Sequence, residues 1–351
     1  SLAPEDAVAL ACDRLAVDAL PPQAAALIGQ KAQGHPFFSV ELAYALRDSG
    51  VIEVNGRVCR PAPGVDWDAV AFPDSIQGVV TNRIDRTSPA HQLALKVSSV
   101  IGRLFSFRVL RDIFPIEAER QRLPGLLNDL SDYNLTLLES PEPELTYGFR
   151  HVIIRDVSYN MLLFSHSRQL HRSIAAWYER TYAEDLSPYY PLLAHHWTAA
   201  GDEPRAIDCL ERSGEQALRG GAYQEAVTFF REAIRLEDRS EGRADTSRRA
   251  RWEARLGEAY LGLGHLTESR EHTERALRLL GEPVPDSPAR LALHFLRQVG
   301  RQAAHRGLPA RFVARSRRPG EELRQAACAH EVIGQVCYYS QEVARGVTPP
   351  D

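Results

Sequence analysis

The chain has 351 residues, 44% hydrophobic and 25% charged, with a formal net charge of −4 at pH 7. This composition excludes a collagen-like, a wholly disordered or a polytopic membrane chain, and the length suits two or three domains. The near-neutral balance leaves no global positive field to hold nucleic acid or an anionic membrane surface.

From the start of the chain, Pro4-Glu5-Asp6 opens a helix with acidic residues in its first turn, where the helix dipole favours them. Pro21-Pro22 starts a second helix to about Gln33, Gly34-His35-Pro36 breaks the pattern, and Phe38, Leu42, Ala45 and Leu46 give a third its apolar face. Short apolar runs flank Asn55-Gly56, a strong hairpin signal, and a Pro-rich loop follows over 61–71. Residues 72–187 read as a second region. Pro73-Asp74-Ser75 and Ser88-Pro89 are helix starts, two short helices fall near 106–114 and 117–132, and strands flank the turn Ser140-Pro-Glu-Pro143. One long helix is expected from His151 onward. Helices with a terminal β-hairpin have the composition of a winged helix.

Residues 188–340 read as helical throughout, with a repeat. One copy runs Leu210, Gly214, Ala217, Gly221, Tyr223, Ala226, Phe230, Ala233; a second runs Leu256, Gly257, Tyr260, Gly264, Leu266, Ser269, Thr273, Ala276. Small residues stand where two helices must touch, and a glycine ends the first helix of each pair. That is the tetratricopeptide pattern of about 34 residues, here lengthened by the charged stretch 238–250. The stretch 308–320 is expected to interrupt the stack as an exposed loop. The fold class is therefore mainly α: helices and a hairpin over 1–71, a winged-helix unit over 72–187 and a helical solenoid over 188–351.

Most polar residues have ordinary structural readings. Among 42 basic residues only Lys31 and Lys96 are lysines, and neither lies in G-x-x-x-x-G-K-[ST], so the sequence carries no P-loop. The five cysteines form no C-x-x-C pair, which fits a reducing cytosol and a cytoplasmic protein. His195-His196 lacks a third ligand at metal-site spacing, and no nucleophile motif is present. No catalytic centre and no metal site are expected. The acidic start is no signal peptide, and no apolar run of about 18 residues predicts a membrane span. A first residue of Ser1 and a last stretch of Val-Thr-Pro-Pro-Asp suggest a piece of a longer polypeptide.

Two segments stand out together: Gly34-His35-Pro36-Phe37-Phe38, and Phe149-Arg150-His151 with Arg155 beyond it. With Phe72-Pro-Asp-Ser-Ile-Gln77, Arg83-Ile-Asp-Arg-Thr-Ser-Pro89, Val100-Ile-Gly-Arg-Leu-Phe-Ser106 and Leu193-Ala-His-His-Trp197, their order resembles the STAND-class signalling NTPases of the AAA+ group. The chain looks most like bacterial proteins that join such an ATPase to tetratricopeptide repeats and often to a class III adenylate cyclase. The resemblance implies a nucleotide, ATP or ADP with Mg, held between a P-loop core upstream of Ser1 and the region described here. Pro36 matches the lid proline that packs on adenine. His151 matches the winged-helix histidine that reaches the β-phosphate, with Arg150 and Arg155 as assisting cations. Without the core these residues hold half a site, so no tight nucleotide binding is expected of this chain alone. The repeats would offer a concave face to a protein or peptide. The alternative is a transcription regulator whose winged helix or repeats bind DNA or protein. The acidic residues over 117–133 argue against DNA.

Overall fold

The computed structural model describes residues 2–67, 70, 72–141, 143–239, 245–284 and 320–340. Residues 240–244 and 308–319, within the stretches expected to be loops, lie outside the described residues. The fold is mainly helical with two small antiparallel sheets. The chain divides into two compact units, Ser1–Trp177 and Tyr178–Asp351. The first holds the expected region 1–71 and the expected region 72–187 up to Trp177, so the division falls ten residues before the expected one.

The first unit opens with α1 (Pro4–Leu15), α2 (Pro22–Ala32) and α3 (Pro36–Asp48), each with proline in its first turn, where the missing N–H has no helical partner to lose. They bury a shared core of Ala11, Leu15, Ile28, Phe38, Leu42 and Leu46. The hairpin β1 (Ile52–Asn55) and β2 (Val58–Pro61) covers one end through Ile52, which is 1% exposed. The turn is shifted from the Asn-Gly expectation: Asn55 pairs with Val58 as the last strand residue. Gly56, at φ 60°, takes the first turn position.

The same unit continues with α4 (Ile76–Asp85), α5 (Pro89–Ile101), α6 (Phe107–Ile113) and α7 (Leu123–Asp132). Ser75, Ser88 and Ser106 each accept a backbone N–H at a helix start, as their positions predict for the first two. Strands β4 (Thr136–Ser140) and β5 (Thr146–Phe149) form the expected hairpin. A third strand, β3 (Leu104–Ser106), pairs with β5 and makes the order β3-β5-β4. Sequence reading missed β3 because it is three residues long and its last residue also caps α6. In the central strand, a Cβ on Gly148 would come 3.0 Å from both Leu104 and Glu139 side chains, so glycine lets the two outer strands close over it.

The single long helix expected from His151 is two: α8 (Val152–Asn160) and α9 (Phe164–Thr181). A straight helix would bury Ile154, Val157 and Ser158 on one side and Leu170, His171 and Ile174 on another. The break at 161–163 lets both sets face inward.

The second unit stacks α10 (Tyr190–Ala200), α11 (Glu203–Arg219), α12 (Tyr223–Arg239), α13 (Thr246–Gly262), α14 (Leu266–Leu279) and α15 (Gly320–Tyr339). Each of the turns at Gly201, Gly221 and Gly264 uses a left-handed glycine to end a helix. Gly214 and Gly257 hold the same place in the two repeats. A Cβ there would meet the Phe230 ring at 2.7 Å in the first and Thr273 Oγ1 at 2.1 Å in the second. Gly262 gives way to the Tyr223 ring between one repeat and the next. Ala329, Ile333 and Cys337 of α15 pack on Leu277 of α14. Arg248 joins α13 to α11 through Glu211 at 2.7 Å and Asp208 at 2.5 Å. The neighbour-to-neighbour contacts are those of a helical solenoid.

Candidate functional site

Two helix starts meet in the first unit. Ahead of α3 the chain reverses through consecutive left-handed residues, Gln33 at φ 47° and Gly34 at φ 75°. The His35 N–H donates to Ala32 O at 2.8 Å, and His35 then runs extended into Pro36. Its Nδ1 accepts the Phe38 N–H at 3.3 Å and caps α3. Far along the chain β5 delivers Phe149 and Arg150 to the start of α8, where His151 Nδ1 accepts the Ile153 N–H at 3.2 Å. The Phe37 and His151 rings stack with centroids 3.8 Å apart and planes 18° from parallel.

Beside this stack lies a cavity of about 290 Å³, lined by Leu10, Arg14, Pro36, Phe37, Val40, Glu41, Tyr44 and Arg150. Its size is at the lower end for small-molecule sites, suited to part of a nucleotide rather than the whole. Leu10, Pro36, Phe37 and Val40 supply apolar wall. Arg14 and Arg150 are exposed and have no ion-pair partner among the described residues. The two helix starts add positive dipole ends to the same place, so an anion is the favoured complement.

Burial lowers the His151 pKa below its ordinary 6.5, and the positive charge of Arg103 and the nearby His35 push the same way. The ring is therefore neutral at pH 7. Since Nδ1 accepts a hydrogen bond, the proton sits on Nε2, which has no partner among the described residues. The histidine expected at this spot thus caps its helix with one nitrogen and keeps a donor on the other.

A buried network supports the floor. Arg83, 2% exposed, donates to Glu41 Oε2 at 2.6 Å, Asp48 Oδ2 at 3.0 Å and Tyr133 O at 2.5 Å, and lies 4.9 Å from the Tyr44 ring centroid. Burial pushes the Glu41 carboxyl up, while Arg83 opposes that push. One guanidinium therefore ties α3, α4 and the end of α7, through two residues that also line the cavity.

Of the residues predicted for the site, Pro36 and Arg150 line the cavity and His151 stacks at its edge. Arg155 is not among the lining residues. It donates to Ser99 O at 3.0 Å and to Asp156 Oδ1 at 3.0 Å, and covers the Tyr159 ring, so its guanidinium is occupied in fastening α8 to α5. Sequence reading put Phe38 on the apolar face of its helix and gave Phe37 no role of its own. Adjacent helical positions point about 100° apart, so only Phe38 could reach the core, and that spacing was the available signal for Phe37. Arg14 and the Arg83–Glu41 pair gave no sequence signal, because the residues they meet at the cavity or in the network are tens of residues away.

Residues 3–60 match a family model described as a domain of unknown function (DUF8739). No curated protein matches the chain. Among solved structures, the chain is similar to a Signal Transduction ATPase with Numerous Domains (STAND) protein with a tetratricopeptide repeat sensor from Pyrococcus horikoshii, at 13% identity and a TM-score of 0.40. The match covers 99% of this chain and 52% of that one, so the chain spans about half the length of that structure. No helix among the described residues is long and apolar enough to cross a membrane.

Proposed function

We propose that this chain is the regulatory portion of an ATP-binding signalling protein: a helical lid, a winged helix and a repeat sensor that together act as a nucleotide-dependent switch. The observation that carries the reading is the meeting of Pro36 and Arg150 at one cavity, with Phe37 stacked on His151. These residues come from two motifs far apart in sequence, and the resemblance implies that they serve one nucleotide. Pro36 and Phe37 offer a flat apolar face for a base. His151 Nε2–H, Arg150 and Arg14 offer donors and positive charge for phosphate. The bound nucleotide supplies the negative charge that draws these groups together. Its Mg and most of its phosphate stabilisation belong to a P-loop core, which this sequence lacks.

In this scheme ADP clamps the lid and the winged helix onto the core, and a protein or peptide on the concave repeat face releases them toward an effector, a class III adenylate cyclase being the one the resemblance implies. The DNA-binding alternative has less support, because Asp129 and Asp132 stand on α7, where a recognition helix would need basic residues. Titration of this chain with ADP, followed by backbone amide resonances, tests the proposal. Weak binding with shifts confined to residues 10–14, 34–44 and 150–153 is expected. Submicromolar affinity, or no shift at those positions, contradicts the shared site.

A further inference from the structure

We infer that Phe37 is a positioning residue for His151: its ring holds the imidazole in the orientation that caps α8 through Nδ1 and presents Nε2–H, and so couples any ligand on Pro36 to the group that meets an anion. The inference rests on the nucleotide reading for the ligand's identity, but its geometry stands apart from it.

The argument begins with what fixes the imidazole. The cap at Ile153 N is 3.2 Å long and restrains one ring nitrogen. A single hydrogen bond leaves the ring free to tilt about that contact or to flip and offer the other nitrogen. The face-to-face stack at 3.8 Å and 18° removes both freedoms, since a tilt or a flip would have to slide past the Phe37 ring. The backbone of Phe37 is fixed, so only its ring can answer to what touches it. Phe37 follows Pro36, whose φ is fixed, in the first turn of α3, and the turn is held by His35 Nδ1 on Phe38 N and by Ser39 Oγ on His35 O at 3.0 Å. The rigid start of α3 therefore sets the ring at the start of α8.

The same residue explains an otherwise odd placement. Phe38 is buried at 5% exposure and fills the core, whereas Phe37 stays only partly buried although equally apolar. A residue held partly buried against a histidine, outside the shared core, contributes little to that core, so its replacement leaves the fold intact while freeing the ring. Phe37 also lines the cavity next to Pro36, whereas His151 lies at its edge. A ligand that packs on Pro36 must touch Phe37, and any displacement of Phe37 moves Nε2. Base contact and phosphate contact are thereby one event.

The test follows His151 in this chain by imidazole nitrogen and carbon resonances, with His151→Asn used to identify its signals among the 12 histidines. In the wild type we expect the Nε2–H tautomer and a titration midpoint below 6.5. Phe37→Ala and the volume-preserving Phe37→Leu should move the midpoint up toward 6.5 and average the two tautomers, while Phe37→Tyr, which keeps a planar face, should restore wild-type behaviour. The thermal midpoint of all three should stay near that of the wild type. Wild-type tautomer and midpoint in both Phe37→Ala and Phe37→Leu would overturn the inference, and so would failure of Phe37→Tyr to restore them. A failure of the nucleotide reading appears elsewhere, as absence of ADP-induced shifts in a chain whose His151 still answers to Phe37.

Discussion

Arg83 shows how one side chain can decide the shape of a site it does not touch. It is the buried cation between Glu41 and Asp48, and Glu41 is itself 1% exposed. Removing one partner of a buried pair leaves the other charged and dry, at a cost of about 3–5 kcal/mol. Arg83→Ala should destabilise the first unit by that amount in urea unfolding. Replacing Arg83 by Met and Glu41 by Leu together should recover much of the loss, because neither charge is then stranded. A double variant as unstable as Arg83→Ala would mean that the bond to Tyr133 O, not the ion pair, is what matters. None of this was legible in the sequence. Arg83 stood in a quoted motif, but its three acceptors lie on α3 and at the end of α7, 35 to 50 residues away, and no local pattern announces such a meeting. Pro36 and His151 were legible because each marks a helix start, and helix starts have local chemistry.

At the scale of elements, the repeats were the most legible part, since their small residues recur in the same order. Gly257 shows the physical content of that pattern. A methyl there would overlap Thr273 Oγ1 and press on Ser269 O at 3.2 Å, and Ser269 Oγ already donates to Gly257 O at 2.7 Å. Gly257→Ala should cost about 1–3 kcal/mol by overpacking. Gly125→Ala in α7 is the control: nothing lies within 4 Å of its added methyl, and the loss of backbone freedom in the unfolded chain should stabilise by about 0.4–1 kcal/mol. Opposite signs in thermal unfolding are expected, and a neutral Gly257→Ala would contradict the tight crossing. Between the same helices lies Glu253, 1% exposed. Burial would raise its pKa, but the His272 hydrogen bond at 2.6 Å and the Arg275 charge hold it below 4.5. A carboxylate lowered in the fold takes up fewer protons there than in the unfolded chain. Its stabilisation is present above pH 4.5 and is lost as pH falls through the folded pKa. Glu253→Gln should flatten the acid side of the stability curve of the second unit; an unchanged curve would mean that the pair does not carry this dependence. The strand β3 and the break between α8 and α9 were not legible, the first for want of length and the second because one continuous helical pattern can be cut wherever packing changes sides.

For the molecule as a whole, the sequence supported a mainly α chain with a small hairpin and a stack of helical pairs, and the described residues have that architecture. The resemblance named the nucleotide, and the fold added what the motifs could not: Phe37 between them, two exposed arginines at one cavity, and a different task for Arg155. The central claim is that His151 senses phosphate as well as capping α8. The two roles use different ring nitrogens, so they separate by substitution. Asn is a good cap but carries its donor at a different reach, and Ala removes both functions. A hydrogen bond to a charged group is worth roughly 1.5–3 kcal/mol, and about half of that differing between clamped and released states shifts the balance several-fold. The deciding measurement is the ADP dissociation rate from this chain joined to the P-loop core that the resemblance implies, for the wild type, His151→Ala and His151→Asn. Several-fold faster release in both variants is predicted. Release at the wild-type rate in His151→Asn, or in both, would contradict the phosphate role and leave His151 as a cap alone.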